Sequence, residues 1–480
     1  MRAALYVGLD VGTTATKAVM IDDSGRVVAR GRALHGRGAP LGRADPAEWW
    51  SSAVAAIGQL GPARSDAVAI GLSVNSPVMV PLDDRGEPLA LGYRFDAAGL
   101  DGLVSAAAPA LTAEVHDRLG NPFTPATAIV LAHSLFQREH PQVSDRLRWL
   151  GSTGSVVGRW LTGQIAIDPS QASYFGCFDV IGGQFWLPAV AETLGIPPHM
   201  LPPVLSGGTG LGPLTVSAAD HLGLPPGIPV AVAGGDTPSA AVAVGLGESS
   251  DALLTLGTTH VVTRWHERPD PRNRRLLQRV HVRPGAWLSH GATNGGFALV
   301  SGAEHTGRTG PSGVGEMISV AASAETSEIK TAPVFLPHVT AERGPLWMSR
   351  PATGIIRDSS AASPDPRAVD WAVVEGVLFA DRLVLEHLVQ GDDTVRVAAD
   401  LSATSDFVQL AADAFDRRLT VVDESHLSAV GAAHQAAAMQ GVLIDVLGDD
   451  AVFTPRAERR AVTNSRWHSW REKRAEHIDM

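Results

Sequence analysis

LYVGLDVGTTATKAVMI, residues Leu5 to Ile21, is the stretch whose reading decides the fold. Leu5, Tyr6 and Val7 form an apolar run leading to Asp10, Gly12, Thr13 and Thr14 make a turn, and Ala18, Val19, Met20 and Ile21 form a second apolar run. The pattern predicts a strand, a tight turn and a returning strand. Glycine at the tip lets backbone N–H groups approach an anion, while the hydroxyls of Thr13 and Thr14 and the ammonium of Lys17 add donors. Such a hairpin suits a polyphosphate. Asp10, at the mouth of the turn, is placed to hold Mg²⁺ or its water shell, because a nucleotide's metal is shared between one or two carboxylates and phosphate oxygens. The stretch is not a P-loop, which needs a strand, GxxxxGK[ST] and a helix. Its plainer reading is a β-hairpin whose threonines satisfy their own turn.

A second element tips the balance. LLTLGTTH, Leu253 to His260, repeats the design of an apolar strand ending in Gly257, Thr258 and Thr259. Two matching turns, one in each half of the chain, are what a nucleotide clamped between two related domains requires. At 480 residues the chain is too long for one typical core and suggests two domains. A net charge of −11 argues against a nucleic-acid footprint, which needs a basic face. Cys177 is the only cysteine, so neither an internal disulfide nor a cysteine-based metal site is available, and the histidines show no HExxH spacing. The N-terminus enters a strand without a signal-like segment, and no apolar run approaches the roughly 20 residues of a membrane span. The expected location is the cytoplasm.

The first hairpin, Gly234-Gly235-Asp236 and the LGTT turn, in this order, resemble the FGGY carbohydrate kinases within the actin-like ATPase superfamily; the likeness runs from about Leu5 to about Gly441. The resemblance implies an α/β fold of two actin-like (ribonuclease H-like) domains with an interdomain cleft. The corresponding domains are 1–246, with the sugar and first phosphate loop, and 247–445, on the nucleotide side, followed by a polar tail at 446–480 packed on the surface. It implies ATP and Mg²⁺ as cofactors and a small sugar as partner, with a homodimer allowed and neither nucleic acid nor membrane involved.

Residue by residue, the resemblance makes Asp236 the base that takes the proton of a sugar hydroxyl, and with Asp10 a holder of the metal. A helix N-cap by Asp236 or Thr237 is the plainer alternative. Gly12, Thr13, Thr14, Lys17, Gly257, Thr258 and Thr259 would cradle phosphates. Asn75 and Ser76 align with the family's sugar loop, whose histidine is lost here, and Phe95 and Asp96 with its Trp-Asp pair, with Ala98 where arginine is expected. Relatives end a strand in Gly-Gly-Gly-x-x-Ser so that adenosine lies flat against bare backbone; here Ala398-Ala399-Asp400-Leu401-Ser402 puts Cβ atoms there, leaving Ala399 and Ser402 as the adenosine-side residues.

Other segments carry structural expectations. Asp45-Pro46-Ala47-Glu48 should open a helix with a capping-box spacing, burying Trp49, Ala53 and Ile57. Asp168 and Ser173 read as turn and cap residues, and Cys177 as a buried small hydrophobe. Pro202–Leu214 reads as a surface loop, Gly291–Gly296 as a close-approach loop, and Asp370–Gln390 as an amphipathic helix capped by Asp370. Gly431 and its alanines should allow close helix packing at the interdomain contact. The leading function is ATP-dependent phosphorylation of a ketopentose, sugar acid or polyol. A kinase-derived sugar-binding or regulatory protein and an actin-like ATPase acting on proteins are the alternatives.

Overall fold

The computed structural model describes residues 4–36, 38–182, 184–269, 275–348, 350–356 and 365–478. The chain divides into two compact units that are not contiguous in sequence. The first comprises Met1–Gly245, Trp265–Ser289 and His426–Leu447; the second comprises Leu246–Arg264, His290–Ser425 and Gly448–Met480. Among the described residues, no helix is long and apolar enough to cross a membrane.

The first unit is built on a mixed sheet with strand order Val27–Leu34, Ala15–Asp22, Leu5–Val11, Ala67–Val74, Pro229–Ala231, Gly210–Pro213. Leu5–Val11 and Ala15–Asp22 pair antiparallel from Leu5↔Asp22 to Val11↔Thr16, so the opening stretch is the predicted hairpin. Leu5–Val11 and Ala67–Val74 run parallel, and both are buried almost throughout, as strands covered on two faces must be. Pro202–Leu214, expected to be a surface loop, instead supplies the edge strand Gly210–Pro213, paired antiparallel with Pro229–Ala231. Its glycines and prolines suit an edge, where unpaired backbone faces out.

Helix Leu427–Met439 lies against this sheet. A Cβ on Gly8 would stand 1.9 Å from the Ala429 carbonyl oxygen, and one on Gly71 would stand 1.7 Å from that of Ala432. Gly431 meets the Ser239 carbonyl oxygen in the same way, at 1.7 Å. The close packing expected of Gly431 is present, but it lies inside the first unit, between this helix and helix Asp236–Ala243.

Helix Pro46–Gly58 opens as predicted, with the Asp45 side chain accepting from the Ala47 N–H at 3.0 Å and Trp49, Ala53 and Ile57 buried. Glu48, expected to close a capping box, accepts from the Gly36 backbone N–H at 2.6 Å. Asp168 caps the short helix Pro169–Ala172, accepting from Ser170 and Gln171, and burial pushes the Cys177 thiol up to about 12. Both follow the sequence reading.

In the second unit, strand Ala252–Thr255 pairs antiparallel with His260–His266 and parallel with Val395–Ala398, which pairs in turn with Leu419–Val422. The long helix spans Pro366–Leu388 and is capped by Asp365, whose side chain accepts from the Arg367 N–H. Asp370, expected to be the cap, is instead buried one turn inside and pairs with Arg308 at 2.8 Å. Residues 446–480 include helix Ala457–Ile478, whose Trp467 and Trp470 are buried and stacked with ring centroids 5.7 Å apart.

Candidate active site

Strand register gathers the central group of the first unit. Asp10 pairs in register with Ser73 across the parallel strands, and Gly234 pairs with Ser73 from the other side. Three strand ends therefore deliver Asp10, Ser73 and Gly234-Gly235 at one level, with Asp236 next in the chain. Ser73 Oγ donates to Asp10 Oδ1 at 2.8 Å. Carboxyl ends of parallel strands are where open α/β sheets bind ligands.

Asp236 is the first residue of helix Asp236–Ala243, and Gly235 occupies the cap position without a side-chain bond. The capping alternative for Asp236 or Thr237 therefore does not apply. Its carboxylate accepts from the Thr237 N–H at 2.7 Å. Although the residue is only partly covered, protein surrounds the carboxyl closely enough that desolvation raises its pKa, opposed by the charge of Arg279 and by Thr237. Burial, reinforced by the charge of Asp236, pushes Asp10 up to about 6; the Ser73 hydroxyl and Lys17 act in the opposite sense. Two carboxylates within electrostatic reach, each disfavoured as an anion, are a common preparation for metal binding or proton transfer.

The turn itself is open, with Thr13 and Thr14 exposed and Gly12 N–H closing on the Ala15 carbonyl at 3.0 Å. Lys17 sits on the returning strand, paired in register with Asp10. A cavity of about 240 Å³ beside the turn is lined by Thr13, Thr14, His35, Glu48, Asn75 and Arg94, among others. Asn75 Oδ1 is committed to the Thr153 hydroxyl at 2.8 Å, and Ser76 Oγ accepts from Arg279 Nη2 at 2.8 Å. Phe95 and Asp96 are half-buried in the loop after strand Gly92–Arg94, and Asp96 is ion-paired with Arg94 at 3.2 Å. Ser73, Thr153, Ser170 and Arg279 were not singled out in the sequence. The signal for Arg279 was weak, because it stands in Leu276–Val282, LLQRVHV, beside the polar Gln278 and His281.

In the second unit, Gly257, Thr258 and Thr259 form the turn of the second hairpin, with Thr258 exposed. The glycines of Gly291–Gly296 do approach closely: helix Gly295–His305 begins against this turn, where a Cβ on Gly296 would stand 2.0 Å from the Gly257 carbonyl oxygen. Ala399 follows strand Val395–Ala398, and Asp400 caps helix Leu401–Phe415 by accepting from the Ser402 N–H at 3.0 Å and its hydroxyl at 2.6 Å. The Ser402 hydroxyl is thus engaged in local capping. Glu342 reaches His338 at 3.2 Å and the Asn294 backbone N–H, also at 3.2 Å. Among the described residues, no cluster of three or more His, Cys, Asp or Glu stands ready to hold a metal.

Comparisons with known proteins agree on the family. The chain is 29% identical over 271 residues to the xylulose kinase of Streptomyces rubiginosus, covering 54% of each protein. It is 26% identical over 467 residues to the xylulose kinase of Streptomyces coelicolor, covering 94% of this chain and 90% of that protein. The crystal structure of a xylulose kinase from Rhodospirillum rubrum superposes with a TM-score of 0.84 at 24% identity over 98% of both chains, which identifies a shared two-domain actin-like fold. The N-terminal domain model of the FGGY family of carbohydrate kinases matches residues 5–243 and the C-terminal domain model matches residues 252–439, so this chain belongs to that family and is an ATP-dependent sugar kinase.

Proposed function

We propose that Asp236 takes the proton of the acceptor hydroxyl as the γ-phosphoryl group is transferred, with the Gly12–Thr14 and Gly257–Thr259 turns and Lys17 holding phosphates. A sugar hydroxyl is a poor nucleophile until a carboxylate accepts its proton, and phosphoryl transfer otherwise rests on positioning and charge stabilisation. What carries the reading is the common level of Asp10, Ser73 and Gly234-Gly235 on adjacent strands, with Asp236 immediately following. Desolvation, by raising the pKa of the Asp236 carboxyl, makes its carboxylate a stronger base toward the acceptor hydroxyl.

Asp10, with Asp236, would hold Mg²⁺. The residues fit such an ion: burial and the charge of Asp236 disfavour ionisation of Asp10, and a divalent cation would relieve both. One or two carboxylates plus phosphate oxygens are the usual Mg²⁺ donors, so a larger protein cage is not needed. When bound, the ion would offset the charge of the transferring phosphoryl group.

Asn75, Ser76, Phe95 and Asp96 line the acceptor side in this reading, and Ala399 and Ser402 the adenosine side. The acceptor is a ketopentose, sugar acid or polyol, and the xylulose kinases among the relatives make ketopentoses the first to assay. Segments 1–246 and 247–445 would serve the sugar and nucleotide sides respectively, in a cytoplasmic enzyme.

The test is coupled ADP release with these three acceptor classes, comparing wild type with Asp236→Asn. Acceptor-dependent release should fall by about 10³-fold in the variant, the scale of a lost general base. Release that ignores the acceptor, or that survives the substitution, rules the assignment out.

A further inference from the structure

Arg279 lies on strand Leu277–Val280 of the first unit and is 2% exposed. Its Nε and Nη2 donate to the Ser170 carbonyl oxygen at 3.1 and 2.9 Å, and Nη2 also donates to Ser76 Oγ at 2.8 Å. The Tyr174 ring lies 4.6 Å from the guanidinium carbon. Ser170 in turn accepts from the Gly235 N–H through its hydroxyl, at 2.9 Å. A Cβ on Gly235 would stand 2.4 Å from Nη2, so the cation packs against the residue preceding Asp236.

This buried cation is held entirely by neutral oxygens. It makes no ion pair with any described carboxylate, and Nη1 makes no hydrogen bond to any described residue. Burying a charge is costly unless it is paired, and the planar fork of a guanidinium matches a carboxylate through two parallel N–H bonds. The one anion whose charge it feels is Asp236, which makes no hydrogen bond or ion pair with it. Two residues on, His281 is pushed down to about 3 by burial and by the charges of Arg283 and Arg279. A neutral polyol arriving beside Ser76 would offer the open Nη1 edge only hydroxyl oxygens, whereas the carboxylate of an anionic acceptor would match the fork.

We infer that Arg279 is the specificity-determining cation of the acceptor site and that the acceptor is a sugar acid, an aldonate whose carboxylate meets the free edge of the guanidinium while its hydroxyl faces Asp236. This inference rests on the reading of Asp236 as the base and narrows its acceptor to one class. The other anion available to the guanidinium is the transferring phosphoryl group of the nucleotide. Binding measured without nucleotide separates the two.

Titration calorimetry in phosphate-free buffer, with four- to six-carbon aldonates and the polyols and ketoses of matching length, tests the inference on the full chain. Wild type should bind its best aldonate about 10- to 100-fold more tightly than the neutral counterpart, the worth of one charge-assisted pair. That advantage should vanish in Arg279→Met and survive in part in Arg279→Lys, with urea unfolding confirming that both variants are folded. Equal or tighter binding of neutral acceptors by wild type overturns the inference, as does an aldonate preference that persists in Arg279→Met. So does an Arg279→Met defect confined to kcat with acceptor binding intact, which would assign the cation to the phosphoryl group. Asp236→Asn should keep aldonate binding while losing turnover. If Asp236→Asn turns over normally while the calorimetric preference holds, the base assignment fails and the carboxylate pocket stands.

Discussion

Asp10 and Asp236 sit at neighbouring strand ends where protein has replaced much of the water, and neither ionises freely there. For Asp10 the sign of the linkage is definite. Its folded pKa, about 6, lies above the ordinary 3.8, so the folded state holds the proton more tightly than the unfolded chain. Ligand-free stability should therefore fall as pH rises from about 4 to about 6, by up to about 3 kcal/mol for this residue alone. Asp10→Asn keeps an acceptor oxygen for Ser73 and removes the buried charge. At pH 7.5 the ligand-free variant should resist urea better than wild type, with the difference shrinking towards pH 4. It should also lose thermal stabilisation by Mg²⁺-ATP. An Asn variant less stable than wild type at pH 7.5 would show that the charge is compensated. The sequence marked Asp10 because it ends an apolar strand at the mouth of a glycine turn, and Asp236 because Gly234-Gly235-Asp236 ends a strand and resembles the family's motif. It did not mark Ser73 or Arg279, because a serine or arginine inside a strand shows its partner only when a segment far along the chain arrives beside it.

At the scale of elements, helix Leu427–Met439 touches strands Leu5–Val11 and Ala67–Val74 backbone to backbone. Gly8 and Gly71 both face carbonyl oxygens, so no flexible side chain can give way. Gly71→Ala should cost about 3 kcal/mol through forced separation of helix and sheet, read as a lower urea midpoint. A change of less than about 0.5 kcal/mol would mean that the layers part easily. The long helix offers a second case. Asp370 at the start of an amphipathic pattern reads as a cap, yet the helix begins at Pro366 and Asp370 is buried against Arg308. Asp370→Ala would leave Arg308 ion-paired, among the described residues, only with the exposed Glu316, 3.7 Å away, and should destabilise by about 3 kcal/mol, the range for breaking a largely buried pair. Unfolding indistinguishable from wild type would show the pair to be dispensable. Helical periodicity told which face was apolar but not which charged residue on that face would meet a partner.

For the whole molecule, the discontinuous make-up of the units sets the rules for cutting it. The first unit needs Leu427–Met439 over its sheet and Leu277–Val280 against the Asp168–Ser173 segment, where Val280 N–H donates to Ser173 Oγ at 3.1 Å. A fragment of residues 1–246 lacks both and should be expressed as an insoluble or loosely packed chain. Near-UV circular dichroism and dye binding would report this, and a cooperative unfolding transition for the fragment would contradict it. Removing Ala457–Ile478 should likewise loosen the second unit by exposing Phe379, which packs against Trp467 at 5.2 Å and Trp470 at 5.9 Å.

By itself the sequence determined the two glycine-threonine hairpins, the strand that delivers Asp236, the helix at Pro46–Gly58 and the kinase family. These are local patterns in which residue order and backbone geometry carry the information within a dozen positions. Only the tertiary structure decided that Pro202–Leu214 supplies a sheet edge, that Asp370 is buried, that Ser402 is spent on a cap and that Arg279 stands unpaired beside Gly235. Each of these depends on what lies across a strand or beneath a helix. Burial and charge pairing are properties of neighbours in space, which residue order along the chain does not specify.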